Sequence, residues 1–253
     1  MTEFCHQLDP SRTVTCGGDN PKANTECGFY AALDVPGFNY RVNLYEELIS
    51  QQPQGFLLGS ETTSTVSSRG VYKFPVEEKK MATYPDGQCS SYDVECCGWS
   101  NLPDIDFAAQ DDHSWAIGQF IWTGIDYLGE PTPYYSYWPS RSSYFGAADL
   151  AGLPKDRFYL YRSVWNTQQP TLHLLPHWTW PGREGKTTPV YCYTSYPEAE
   201  LFVNGKSQGR LSKEKISPLD RYRLRWNNVV YEPGELKVVA YDAKGNKAAE
   251  KVV

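Results

Sequence analysis

Glu61 closes a compact run of apolar and small residues, Gly55-Phe56-Leu57-Leu58-Gly59-Ser60-Glu61. Short hydroxyl side chains dominate the next stretch, Thr62-Thr63-Ser64-Thr65-Val66-Ser67-Ser68-Arg69. A continuous apolar run is what a strand buried on both faces looks like. A carboxylate at the carboxyl end of such a strand stands where α/β barrels place their reacting groups. Set among hydroxyls and near a guanidinium, it suits a nucleophile that attacks as an anion. The same pattern also describes a strand-end glutamate in an ordinary ion pair with Arg69. Residue pattern alone leaves both readings open.

Two more strand exits carry polar or aromatic groups. Ala32 to Tyr40 reads as a strand that ends on Asn39 and Tyr40, and Trp115 to Trp122 as a buried strand that leaves through Thr123-Gly124-Ile125-Asp126. The chain is rich in aromatics, 15% with 8 Trp and 19 Tyr. Flat apolar faces with polar tips suit a sugar, which offers C–H patches and hydroxyls together. Aromatic-rich β structure with no ligand has the same composition.

The elements that must position these groups change character near residue 185. Before it, strands and helices alternate. Thr13–Cys16 is a short strand, 43–51 a helix with Leu44, Leu48 and Ile49 on one face, 77–103 a long loop, 107–115 a helix, and 154–165 a closing helix with Pro near its first turn. That makes about four β/α units, where a parallel barrel needs eight. After it the pattern is all β. Strands 190–194, 199–203, 222–226 and 235–242 and a last strand to Val253 are punctuated by Asn204-Gly205, a hairpin turn of type I′. The fold class is therefore α/β plus all-β, divided into 1–184 and 185–253.

The formal net charge is −6 and the basic residues form no stripe, which argues against nucleic-acid binding. No apolar stretch reaches the roughly 18 residues of a membrane span. The opening residues Met1-Thr-Glu-Phe-Cys-His lack the basic start and apolar run of a signal peptide and read as the end of an amphipathic helix. Half a barrel would have two open edges, so the chain is expected to be a piece of something longer, able to pair through those edges with a missing segment or a second copy. The seven cysteines contain no CxxC pair, which predicts mostly free thiols and no metal site.

Gly59-Ser60-Glu61-Thr62, followed by Ser67-Ser68-Arg69-Gly70-Val71-Tyr72, resembles the nucleophile strand of glycoside hydrolase family 2, above all its β-galactosidases of the Bacteroidetes type. The likeness runs on through Phe120-Ile121-Trp122-Thr123-Gly124-Ile125-Asp126-Tyr127-Leu128-Gly129-Glu130-Pro131 and Ser140-Arg141-Ser142-Ser143-Tyr144-Phe145-Gly146. It includes Leu175-Pro176-His177-Trp178 and Glu200-Leu201-Phe202-Val203-Asn204-Gly205-Lys206, and so covers nearly the whole chain.

The resemblance implies the C-terminal half of a TIM (β/α)8 barrel, strands five to eight, followed by a small immunoglobulin-like β-sandwich. It implies a retaining double displacement on terminal non-reducing β-D-galactosides, with no cofactor. Two carboxylates about 5–5.5 Å apart do that chemistry. Glu61 matches the nucleophile and Tyr40 the tyrosine that orients it. Trp122 matches the platform under the sugar. Asn39, Asp126, Glu130, Trp138 and Arg141 match substrate-facing positions, with Asp126 and Glu130 open to either binding hydroxyls or bracing the loop. His177 and Trp178 are expected to pack between the domains. The family's acid/base lies in an Asn-Glu motif, and this chain contains no such dipeptide. The resemblance therefore puts the acid upstream of Met1, together with the sugar-binding sandwich, and predicts a fragment that is inactive alone. Arg41 is the one basic group beside Tyr40, which favours a neutral sugar over a carboxylated one. The expected partner is a β-galactoside oligosaccharide or polysaccharide, met by a parent enzyme in the periplasm or outside a bacterium. The alternative function is a non-catalytic carbohydrate-binding module.

Overall fold

The computed structural model describes residues 1–136 and 142–253. The chain forms two compact units, each built from two segments. The first comprises Met1–Thr65 and Cys96–Gly124, the second Val66–Glu95 and Ile125–Val253.

In the first unit, strands β1 (Thr15–Gly18), β2 (Val35–Asn39), β3 (Leu57–Thr62) and β4 (Ala116–Ile121) form a parallel sheet in chain order. Helices α1 (Thr2–Leu8), α2 (Pro21–Glu26), α3 (Tyr45–Leu48) and α4 (Pro103–Asp112) accompany them. Parallel neighbours need a crossover, and these helices and the turns around them supply it. The core is Tyr30, Phe38, Tyr45, Leu48 and Leu57, all buried, with Tyr30 stacked on Phe38 at 4.6 Å and Tyr45 edge-on to Phe38 at 5.6 Å. Rings fill this space because Phe38 alternates toward the helices from a central strand.

The expected helix over 43–51 is one turn of α-helix flanked by 3-10 turns at Val42–Leu44 and Ile49–Gln51. The helix expected at 107–115 begins earlier. Pro103 occupies its first turn and Asp104 and Asp106 face its positive end, while His113 is already extended.

The second unit holds two antiparallel sheets and one longer helix, α5 (Asp156–Trp165). Strands β5 (Leu172–Leu175), β6 (Val190–Thr194) and β9 (Arg223–Trp226) form one sheet in the order β9-β6-β5. Strands β7 (Glu198–Val203), β8 (Lys206–Ser212), β10 (Leu236–Tyr241) and β11 (Lys247–Val252) form the other in the order β8-β7-β10-β11. Leu201, Val203, Leu236 and Val238 from one sheet and Val190, Cys192, Leu224 and Trp226 from the other enter a single apolar cluster. The two-residue link Asn204-Gly205 between β7 and β8 has φ of 49° and 76°, the paired left-handed geometry that a type I′ hairpin requires.

Trp178 belongs to that cluster and donates from its ring to the Glu232 carbonyl at 3.0 Å. His177 stacks on Trp180 at 4.1 Å. A buried ion pair and a buried hydrogen bond to the backbone tie the 66–95 segment to the rest of the unit. Arg157 Nε donates to Asp93 at 2.8 Å, and Arg223 donates to the Asp93 carbonyl at 3.0 Å. Cys5, Cys16, Cys27, Cys89 and Cys192 are free thiols. No helix among the described residues is long and apolar enough to cross a membrane.

Candidate active site around Glu61

The site is assembled where β2 and β3 end. Pairing runs Gly37 to Leu58 and Phe38 to Gly59, then slips by one residue so that Asn39 faces Glu61. The extra residue is Ser60. After the slip the chain turns sharply on both sides. Tyr40 and Arg41 follow β2 with φ of 56° and 54°, and Thr63 follows β3 with φ of 54°. Non-glycine residues in this region cost about 1–3 kcal/mol each and persist where the surroundings hold them.

Three contacts hold the Tyr40 backbone and ring. Its N–H donates to the Glu61 carbonyl at 2.6 Å. Its phenol donates to Glu61 Oε1 at 2.6 Å and lies 2.5 Å from Ser64 Oγ. Asn39 Nδ2 donates to the other carboxylate oxygen, Oε2, at 3.4 Å, while Ser60 Oγ donates to Asn39 Oδ1 at 2.9 Å. The carboxylate decides which way the amide faces, because it only accepts: Nδ2 must meet Glu61 and Oδ1 then meets the Ser60 hydroxyl. Gly17 on β1 makes room for this arrangement. A Cβ there would stand 2.6 Å from Asn39 Oδ1.

Burial raises the Tyr40 phenol well above the ordinary tyrosine pKa, the Glu61 carboxylate raises it further, and the Ser64 contact opposes both. The phenol therefore stays a donor across the pH range in which proteins function.

A loop from the far side of the unit braces the turn. Cys97 N–H donates to the Ser64 carbonyl at 2.9 Å, and Arg41 Nη1 donates to the Trp99 carbonyl at 2.8 Å. Trp122 follows β4 directly, and its N–H donates to the Thr62 carbonyl at 2.8 Å. The first unit thus brings Asn39, Tyr40 and Glu61 into direct contact and sets Trp122 at the neighbouring strand exit. Glu61 and Trp122 are both partly exposed.

Among the remaining expected site residues, Asp126 and Glu130 belong to the second unit. Asp126 is buried, with Lys155 Nζ at 2.6 Å from Oδ2 and the Gly146 N–H donating to Oδ1 at 2.7 Å. Burial and neighbouring Arg157 push the Lys155 ammonium down to about 8, against the pull of Asp126. Between its two open roles, Asp126 has both oxygens engaged in bracing. Glu130 is exposed and accepts from the Tyr127 phenol. Arg69 pairs with Asp149 at 2.5 Å within the second unit. Trp138 and Arg141 lie outside the described residues. Among those residues, no cluster of three or more His, Cys, Asp or Glu could hold a metal ion.

Ser64, Ser60 and Gly17 are the functional neighbours that sequence reasoning passes over. The hydroxyl run after Glu61 is the available signal. It does not single out Ser64, because only the left-handed turn at Thr63 brings that hydroxyl back onto Tyr40.

Comparison with known proteins adds relatives. Residues 185–249 match the family described as a domain of unknown function, DUF4982. The chain is 39% identical over 265 residues to the β-galactosidase BoGH2A of Bacteroides ovatus, covering all of this chain and 30% of that protein. A β-glucuronidase of Bacteroides fragilis is 33% identical over 93 residues, 37% of this chain and 12% of its own length. The crystal structure of a β-glycosidase from Bacteroides vulgatus superposes with a TM-score of 0.79 at 31% identity over 99% of this chain and 33% of that one. The chain is therefore related to family 2 glycosidases and spans about a third of their length or less.

Proposed function

From this kinship with family 2 glycosidases, we propose that the chain supplies the nucleophile portion of a retaining β-galactosidase, as part of a longer enzyme. The observation that carries the reading is the grip on Glu61, one oxygen held by Tyr40 at 2.6 Å and the other by Asn39 at 3.4 Å. In the first step Oε2, the more loosely held oxygen, attacks the anomeric carbon. The glycosidic C–O bond breaks, and the leaving oxygen takes a proton from an acid. In the second step water attacks the same carbon, loses its proton to the conjugate base of that acid, and releases Glu61. Trp122 offers its ring to the C–H face of the sugar. Tyr40 keeps the carboxylate in line and Asn39 is within reach of a sugar hydroxyl.

The acid is the part this chain does not supply. In the likeness to family 2 the acid belongs to an Asn-Glu motif, and this chain contains no such dipeptide. Without general-acid help, departure of a poor leaving group slows by about 10²–10⁴-fold, so the chain alone is inactive on natural glycosides. On this reading the four parallel strands are half of a (β/α)8 barrel and 185–253 is an immunoglobulin-like domain. The outer strands β1 and β4 are then open to a complementary segment or a second copy. Galactose is preferred over a carboxylated sugar, since Arg41, the basic group beside Tyr40, is engaged by Trp99 and lies 3.9 Å from Asp19.

A 2-deoxy-2-fluoro-β-galactoside with a dinitrophenyl leaving group needs no acid and tests the nucleophile directly. Peptide mapping should find the sugar on Glu61 and nothing on Glu61→Gln. Saturable sugar binding without any label, in a folded sample, would instead favour the non-catalytic binding module.

A further inference from the structure

The second unit contains a cavity of about 320 Å³. All of its lining residues belong to that unit, and none of Asn39, Tyr40, Glu61 or Trp122 is among them. Its size falls within the range of small-molecule sites, roughly 300–1,000 Å³.

The charges in its wall are already matched. Arg69 and Asp149 pair with each other, and the second oxygen of Asp149 accepts the N–H groups of Ala151 and Leu153, each at 2.9 Å. Asp126, the third charged lining residue, is neutralised by Lys155 at 2.6 Å. Among the described residues the wall therefore has no spare cation for an anionic ligand and no spare carboxylate for a metal ion.

What is left to meet an occupant is neutral. Ser68, Gln88 and Ser142 line the cavity beside the apolar side chains of Leu150 and Ala151. Ser68 Oγ accepts the Cys89 N–H at 3.0 Å and keeps its own proton to give. Ser67 in the same wall is 1% exposed, and its Oγ has no hydrogen-bond partner among the described residues. A buried hydroxyl in that condition is destabilising, and a small shift toward a ligand hydroxyl would relieve it.

We propose that this cavity is a carbohydrate subsite that takes one neutral pyranose ring. The ring hydroxyls answer Ser67, Ser68, Gln88 and Ser142, and one C–H face of the ring lies against Leu150 and Ala151. The inference needs nothing from the chemistry of Glu61 and stands if Glu61 is no nucleophile.

The test titrates the ¹⁵N-labelled 253-residue chain with the methyl β-glycosides of galactose, glucose and xylose, and with sodium glucuronate. At least one neutral glycoside should shift the Gln88 and Ala151 amides saturably, with a Kd of about millimolar order. Glucuronate should bind at least about tenfold more weakly, because its carboxylate meets no unpaired cation among the described residues. Ala151 is exposed at the mouth, so Ala151→Phe fills the cavity at little cost to folding and should abolish the shifts. Ser67→Ala should weaken binding by about 3–10-fold. The same spectra report whether each variant keeps its fold. No saturable shift with any neutral glycoside overturns the proposal. So does binding that survives Ala151→Phe, glucuronate binding as tight as the best neutral glycoside, or shifts lost in Trp122→Ala instead.

Discussion

Tyr40 and Glu61 face each other phenol to carboxylate at 2.6 Å, with Ser64 Oγ on the other side of the same phenol oxygen at 2.5 Å. An ionised carboxylate only accepts, so the single phenol proton goes to Glu61. Ser64 must then give its own proton to the phenol oxygen. The direction of donation is fixed as Ser64 to Tyr40 to Glu61, and the nucleophile sits at the receiving end.

Tyr40→Phe removes the short bond and leaves the ring. A hydrogen bond to a charged group contributes about 1.5–3 kcal/mol. The rate at which the fluorosugar labels Glu61 should fall by about 10–100-fold. An unchanged rate would mean that the phenol does not orient the carboxylate.

Ser64→Ala leaves Tyr40 without its donor, so the phenol is free to swing and is a weaker acid toward Glu61. Labelling should slow by about 3–10-fold, with about 1 kcal/mol lost in urea unfolding. Ser64→Thr, which keeps the hydroxyl, should recover most of the labelling rate. Equal loss in both variants would point to packing alone.

Much of this site is legible in the residues, for a physical reason. Apolar runs announce β3 and β4 and place Glu61 and Trp122 at their exits, but only β3 is largely enclosed: β4, expected to be buried, leaves Ile117 52% and Phe120 65% exposed. Hidden are the features that depend on two chain segments meeting. Nothing local to Gly17 says that Asn39 will lie against it. Lys155 reads as a surface lysine at a helix start, yet it is 1% exposed, and its meeting with Asp126 and with the Ser67 and Tyr144 carbonyls explains why. Pro103 marks the start of α4, but the apolar residues that suggest a buried helix face gather only from Phe107, so the pattern places the start too late.

Gly17→Ala tests the spacing between β1 and β2. The new methyl would meet Asn39 Oδ1 at 2.6 Å, so the amide must move off both Ser60 and Glu61. Stability should drop by about 1–3 kcal/mol in thermal or urea unfolding. A crystal structure of the variant should show Asn39 turned away from Glu61. An unshifted Asn39 would mean that β1 yields instead.

Asp106 gives the first unit a pH dependence. Fully enclosed on α4, it is pushed up to about 7 from 3.8, chiefly by burial, with the Asn101 amide opposing. Between those two values the folded chain holds a proton that the unfolded chain has lost. This contribution to stability is therefore fully present below about pH 4 and is lost as pH rises through about 7. The spread corresponds to at most about 4 kcal/mol. Asp106→Asn should flatten the wild-type decline between pH 4 and 7, measured as the difference between the two urea midpoints. Parallel curves would show that Asp106 is not protonated in the folded chain.

The one-residue slip at Ser60 sets a limit on how this sheet can be improved. Deleting Ser60 would regularise the β2–β3 ladder and leave Asn39 opposite Glu61. The same deletion would turn Glu61 to the opposite face, since neighbouring strand residues point to alternate sides. Any engineered or inherited change that tidies these strands therefore trades sheet regularity against the aim of the carboxylate. The irregular spot is the one to leave alone when the rest of the unit is stabilised.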